Sequence, residues 1–191
     1  AAEGIEDSVD LMVSDTYKGG HEKGNLDLIR HMCENSSDAI DWLDSMGITL
    51  SKLGTSGGAS VKRIHRPEAV GKYIVKGMTE QCRQRGISAI CNTKVEELMV
   101  DDAGKISGVR ATNPNGLPIV YACKAVIVAT GGFGANHEML AQYRPELIDA
   151  VTTTQPGTQG DGIVFSQAIG ADLVDIGEIQ VHPTVEQTTA T

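Results

Sequence analysis

Long apolar runs are missing from this 191-residue sequence. None approaches the roughly 20 residues that a bilayer-spanning helix needs, so no membrane segment is predicted. Basic residues are outnumbered, with 16 Lys and Arg against 25 Asp and Glu and a net charge of −9. Nucleic-acid binding depends on clustered cations that displace counterions from phosphate, so the balance excludes a nucleic-acid partner and predicts an acidic, soluble surface. Cysteine is sparse and unpatterned: Cys33, Cys82, Cys91 and Cys123 form neither CxxC nor CxxCH. No metal site and no attached c-type haem is therefore read in this chain, and the four thiols are expected to be ordinary buried ones. The opening Ala1-Ala2-Glu3-Gly4-Ile5-Glu6-Asp7 has neither a basic nor an apolar leader region, so no signal peptide is read there. A dinucleotide-type GxGxxG is lacking too. Gly132-Phe133-Gly134 begins one, but position 137 is His where the last glycine belongs.

What is present centres on Ala125-Val126-Ile127-Val128-Ala129-Thr130-Gly131-Gly132-Phe133-Gly134. A short β-branched apolar run that stops at paired glycines predicts a strand buried on both faces, with a sheet on either side. Beyond Thr130, Gly131 and Gly132 remove side-chain bulk and permit positive φ, so the backbone can pass close to a ligand, for which a nucleotide cofactor is the natural candidate.

Residues 7–17 predict a short helix capped by Asp7 or Ser8 and ended by Gly19-Gly20. Asn25 caps a longer one, whose Leu26, Ile29, Met32, Cys33, Ile40, Leu43 and Met46 fall near one face; Gly47 stops it, and its methionines and Trp42 are expected in the core. The loop Gly54–Ser60 follows no clear strand and reads either as plain surface or as a phosphate cradle. Residues 68–85 predict a helix along Val70, Ile74, Met78 and Cys82, followed by a strand over 87–91. Three strands, 94–100, 105–112 and 117–123, are separated by Asp101-Asp102-Ala103-Gly104 and Asn113-Pro114-Asn115-Gly116, both strong turn sequences. They form an antiparallel meander over about 94–123. Asn136 caps a short helix to Gln142, broken at Tyr143-Arg144-Pro145. Finally Gly157-Thr158-Gln159-Gly160-Asp161-Gly162 feeds a helix over 163–169. A glycine loop at a helix N-terminus suits an oxygen-rich ligand, whereas the Asp161 carboxylate repels bare phosphate and suits ligand hydroxyls or a cap.

Three of these stretches, AVIVATGGFGAN, GTQGDG and Ile179-Gln180-Val181-His182-Pro183-Thr184, together resemble successive signatures of the fumarate reductase/succinate dehydrogenase flavoproteins, in particular the soluble flavocytochrome c-like branch. The likeness runs from AAEGIEDSV to HPTVEQ but matches only a middle piece of that family's flavoprotein subunit. It implies an α/β fold, namely part of a doubly wound FAD-binding sheet of the glutathione reductase type with the meander inserted. Residues 1–181 would belong to that FAD-binding domain, and 182–191 would start the connection to a substrate-capping domain. The resemblance implies non-covalent FAD near Ala59 and Ser60 of GGAS, along Thr130, Gly131 and Gly132, and at Gly160 and Asp161. Val95 stands either near the adenine end of FAD or as an ordinary strand residue. Two positions depart from the family pattern: Gln159 stands where Thr is common, and Pro67-Glu68-Ala69-Val70 replaces the usual PTGG.

A lone His is more often structural than catalytic. In IQVHPT the resemblance reverses that reading and implies that His182 holds a substrate carboxylate against the flavin. The implied reaction is reduction of the double bond of an unsaturated carboxylic acid, with fumarate as the reference substrate. The family's GxGxxG is expected before Ala1, and its remaining substrate and proton-donor residues after Thr191. The isolated chain is therefore expected to be inactive without the rest of the flavoprotein and an electron-donor domain or protein. Bacterial cytoplasm and cell envelope both fit. A ketosteroid dehydrogenase-like enzyme shares the ATGG and GDG signals but needs no carboxylate-binding His. A non-catalytic scaffold that has kept the fold is the other alternative.

Overall fold

The computed structural model describes residues 4–67 and 70–181, and they fall into two compact units, Ala1–Ala89 and Ile90–Thr191. In the first, α1 (Val9–Gly19) starts where the Ser8 hydroxyl accepts from the Leu11 amide, and α2 (Leu26–Ser45) starts where Asn25 accepts from Asp27 and Leu28. Both caps satisfy amides that a first helical turn leaves without partners, which is why the two starts were legible. The helices pack on each other and bury Val13 and Cys33.

A hairpin follows, β1 (Lys52–Gly54) against β2 (Ile64–Arg66), with Lys52 opposite Arg66 and Gly54 opposite Ile64. The glycine loop thus does leave a strand, contrary to expectation; three residues are too few to show an alternating pattern in sequence. Next, α3 (Val70–Gln84) passes close over the segment that bears buried Ile48 and Leu50. A Cβ on Gly77 would lie 2.6 Å from Ile48 Cγ1, and Gln81 Nε2 donates to Met46 O at 3.1 Å. Trp42 and Met32 are not in the core, being 55% and 48% exposed. Of the thiols only Cys33 is buried, while Cys91 is exposed.

The second unit opens with the meander β3 (Lys94–Val100), β4 (Ile106–Thr112) and β5 (Pro118–Ala122), paired antiparallel in the order β3-β4-β5. Its two turns close on side chains as their sequences require. Asp101 Oδ1 accepts from the Ala103 and Lys105 amides at 2.9 Å, and Asn113 Oδ1 accepts from Asn115 and Leu117. Gly104 and Gly116 take the left-handed positions, each at φ +75°. Leu98 and Ala111 are buried in this sheet.

The strands expected over 87–91 and 125–130 are not formed among the described residues. Ile127 is 92% exposed, and Ile87 and Ile90 are each 57% exposed. A strand is defined by partners that take its N–H and C=O groups, and neither segment has one beside it here. The sheets that are present are both antiparallel.

After the glycines, α4 (His137–Tyr143), a 3-10 turn (Pro145–Leu147) and α5 (Asp161–Ala168) surround a small core of Phe133, Met139 and Leu140. Tyr143, Ile163, Ile176 and Ile179 pack against it. The Phe133 and Tyr143 rings meet tilted, with centroids 5.7 Å apart. Among the described residues, no helix is long and apolar enough to cross a membrane.

Candidate functional site

Of the residues singled out in the second unit, Thr130, Gly132, Gly160 and Asp161 come together at the start of α5. Gly160 is the N-cap, at φ +82° and with no side-chain cap, a left-handed conformation for which glycine alone carries no Cβ penalty. Its amide donates to Gly132 O at 3.1 Å, and the Ala135 amide donates to Thr158 O at 3.1 Å. The 130–135 and 157–162 loops are therefore joined backbone to backbone, 25 or so residues apart in the chain. The contact is close enough to demand glycine on the 157–162 side. A Cβ on Gly162 would collide with Thr130 Oγ1 and come within 2.7 Å of Val128 Cγ1. On the other loop, Gly131 sits at φ +74° and a Cβ on Gly132 would meet only open space.

Beside this junction is a cleft of about 240 Å³ lined by Val128, Ala129, Thr130, Gly131, Gly162 and Ser166, among others. Glycine backbone beside a helix start is suited to close approach by the oxygens of a nucleotide. The residues present thus fit a flavin nucleotide's polar groups. Asp161 lies in the first turn of α5, half-buried, and the capping role is taken by Gly160 instead. Val95 is half-buried on β3 opposite Ala111, and α5 packs against that strand.

Two amides brace the junction, and sequence reasoning did not foresee this. The sequence gives Asn136 the role of cap to α4, and it is one, its Oδ1 accepting from Met139 at 3.0 Å. Its Nδ2 also donates to Gln159 O at 2.8 Å, and Gln159 Nε2 donates to both Ala135 O and Pro156 O, at 3.1 and 2.7 Å. The one sequence signal was the oddity of Gln at position 159.

In the first unit, Ala59 and Ser60 end a loop that lines a cleft of about 270 Å³ together with Met12, Asp15, Gly57, Gly58 and Arg63. Ser60 commits both its donors to Asp15: the amide to Oδ2 at 2.8 Å and the hydroxyl to Oδ1 at 2.6 Å. Only acceptor capacity is left on that hydroxyl for a ligand. Arg63 donates to Asp15 Oδ2 at 2.6 Å and grips Asp7 with two bonds of 2.9 Å. The Ser60 donors, helped by Arg63, hold the Asp15 carboxyl down at about 2, and Arg63 chiefly lowers Asp7 as well. No local pattern announces this clamp, since Arg63 lies 48 residues from Asp15 and 56 from Asp7. His182 lies outside the described residues.

Known proteins can be set beside this geometry. A family model described as "FAD binding domain" matches residues 1–190. The NADH:fumarate oxidoreductase of Klebsiella pneumoniae is 45% identical over 190 residues, which cover 98% of this chain and 20% of that protein. The urocanate reductase of Eggerthella lenta is 37% identical over 193 residues, covering 98% of this chain and 32% of its own length. The open conformation of a flavocytochrome c3 fumarate reductase superposes with a TM-score of 0.92 at 35% identity, over 96% of this chain and 33% of that one. The chain thus spans from a fifth to a third of these relatives.

Proposed function

Since this chain belongs to the FAD-binding domain family, we propose that it forms part of an FAD-dependent reductase acting on the double bond of an unsaturated carboxylic acid. The observation that carries the reading is the bond from Gly160 to Gly132, which joins two glycine loops into one ligand-ready edge. FAD, when bound, supplies hydride chemistry at its N5, the hard part of the reaction. The chain's own residues bind and orient. Backbone at Gly131 and Gly132 admits the cofactor without side-chain obstruction, Thr130 and Gly160 are assigned to it with them, Asp161 offers a carboxylate to ligand hydroxyls, and Ala59 and Ser60 are assigned to the cofactor on the resemblance of their loop. Val95 is assigned to the adenine end. FAD is held non-covalently, and residues 1–181 act as one FAD-binding domain, with 182–191 leading toward a substrate-capping domain.

His182 holds a substrate carboxylate in this reading, and the relatives named for fumarate and urocanate set the class of acids worth trying. Electrons would arrive from a separate donor domain or protein. In a protein that turns over an unsaturated acid, His182→Gln is expected to raise KM about tenfold or more, since a bond to a charged group contributes about 1.5–3 kcal/mol, while FAD content stays unchanged. Steady-state kinetics with flavin absorbance checks this. Equal loss of FAD would instead assign His182 to the cofactor.

The direct experiment is FAD titration of the 191-residue chain by calorimetry, with circular dichroism to establish folding. Saturable binding is expected, and at a hundredfold excess over Kd it stabilises the fold by about 2.7 kcal/mol. A folded chain that binds no FAD would overturn the reading that these loops form the site.

A further inference from the structure

We propose that Gln159 is a positioning residue that sets the spacing of the two glycine loops for FAD, an inference that rests on the cofactor reading above. The side-chain amide has two N–H donors, and both are used, one across the junction on Ala135 O and one within its own loop on Pro156 O. Asn136 answers from the opposite loop with Nδ2 on the Gln159 carbonyl. The two amides form a reciprocal clasp directly beside the Gly160 to Gly132 backbone bond. Each bond has a different consequence. The Ala135 bond fixes the distance between loops, and the Pro156 bond fixes the curl of the 156–160 turn that delivers Gly160 to its left-handed position.

A threonine at this position has one hydroxyl donor on a shorter stem and cannot bridge both carbonyls. The clasp's value to a ligand is preorganisation: loops already held at their bound spacing need not be ordered when FAD arrives. Gln159 is half-buried, as is Asn136, so the clasp is partly shielded from competing water.

The test compares the 191-residue chain with Gln159→Ala, Gln159→Thr and Gln159→Glu, using FAD titration and amide hydrogen exchange at Gly160 in the absence of FAD. Gln159→Ala and Gln159→Thr are expected to weaken FAD binding about tenfold, the worth of roughly one net hydrogen bond. Both are also expected to speed exchange at the Gly160 amide. Gln159→Glu supplies a signature that loss of packing does not. Its carboxylate would face two carbonyl oxygens, so binding should fall further as pH rises and recover in acid, where one oxygen is protonated and donates. Unchanged exchange and unchanged affinity in Gln159→Ala would overturn the proposal, as would a Gln159→Glu affinity that follows the parent at every pH. If the parent chain binds no FAD yet Gln159→Ala speeds Gly160 exchange, the brace stands and the cofactor reading fails.

Discussion

Gly160→Ala is expected to destabilise the second unit by about 2–4 kcal/mol, the sum of a left-handed backbone penalty and a modest overpacking cost. At φ +82° a Cβ is strained whatever the space around it. Here there is no space either: the new methyl would run into Met139 Sδ and stand 3.0 Å from Phe133 Cβ. Both residues belong to the small core beneath the junction, so relief requires Met139 to turn aside within that core or the 157–162 loop to move away from Gly132. FAD affinity should fall with the stability. Gly157→Ala is the control, because a Cβ there meets nothing within 4 Å. Denaturant unfolding of the two variants measures the difference. Equal effects would mean that the close approach at Gly160 does not hold the loops together.

The second large effect is expected at Arg63. Its side chain is only 10% exposed and holds two carboxylates, Asp15 at 10% and Asp7 at 30% exposure. Removing one partner of a shielded ion pair leaves the other charge uncompensated, which costs more than the pair itself contributes. Arg63→Ala leaves two, and they repel. The variant should therefore melt well below the parent at neutral pH, with Asp15 still accepting from Ser60 but no longer tied to Arg63.

The pH profile distinguishes this from simple loss of packing. In the parent, Asp15 titrates at about 2 when folded, against 3.8 ordinarily, and Asp7 is also lowered. A depressed carboxyl contributes stability that is fully present above the unfolded value and lost as pH falls through the folded one. The parent should thus weaken between about pH 4 and pH 2. In Arg63→Ala both carboxyls lose their bonds from Arg63 and rise, Asp7 the more because Asp15 keeps its Ser60 donors, so that slope should become shallower without vanishing and the gap between the proteins should narrow in acid. Melting curves from pH 6 to pH 2 read this directly. A gap that stays constant across the range would show that Arg63 acts by bulk and not by charge.

Features that depend on neighbours in sequence were legible in advance. Ser8, Asn25 and Asn136 cap the helices assigned to them, because a cap is a bond across two or three residues. The meander was placed within a residue or two at every end, since its turns are closed by Asp101 and Asn113 acting on their own loops. The ATGG and GDG stretches could be marked because steric need for glycine leaves a mark in composition. Failures occurred where a long-range partner decides the outcome. Residues 125–130 have the composition of a buried strand, yet nothing pairs with them among the described residues and Ile127 faces solvent. Trp42 looked like core because it is large and apolar, but α1 covers the opposite side of α2, where Cys33 is buried.

The sequence by itself thus determined the order and local chemistry of the elements, the two glycine loops and the family to which they belong. Only the tertiary structure decided that those loops touch, that Gln159 and Asn136 brace them, and that Arg63 ties Ser60 to α1 through Asp15. The physical reason is range. A cap or a turn is fixed by groups a few bonds apart, whereas an amide clasp between positions 136 and 159, or an ion pair spanning 48 residues, exists only once packing has brought distant backbone within about 3 Å.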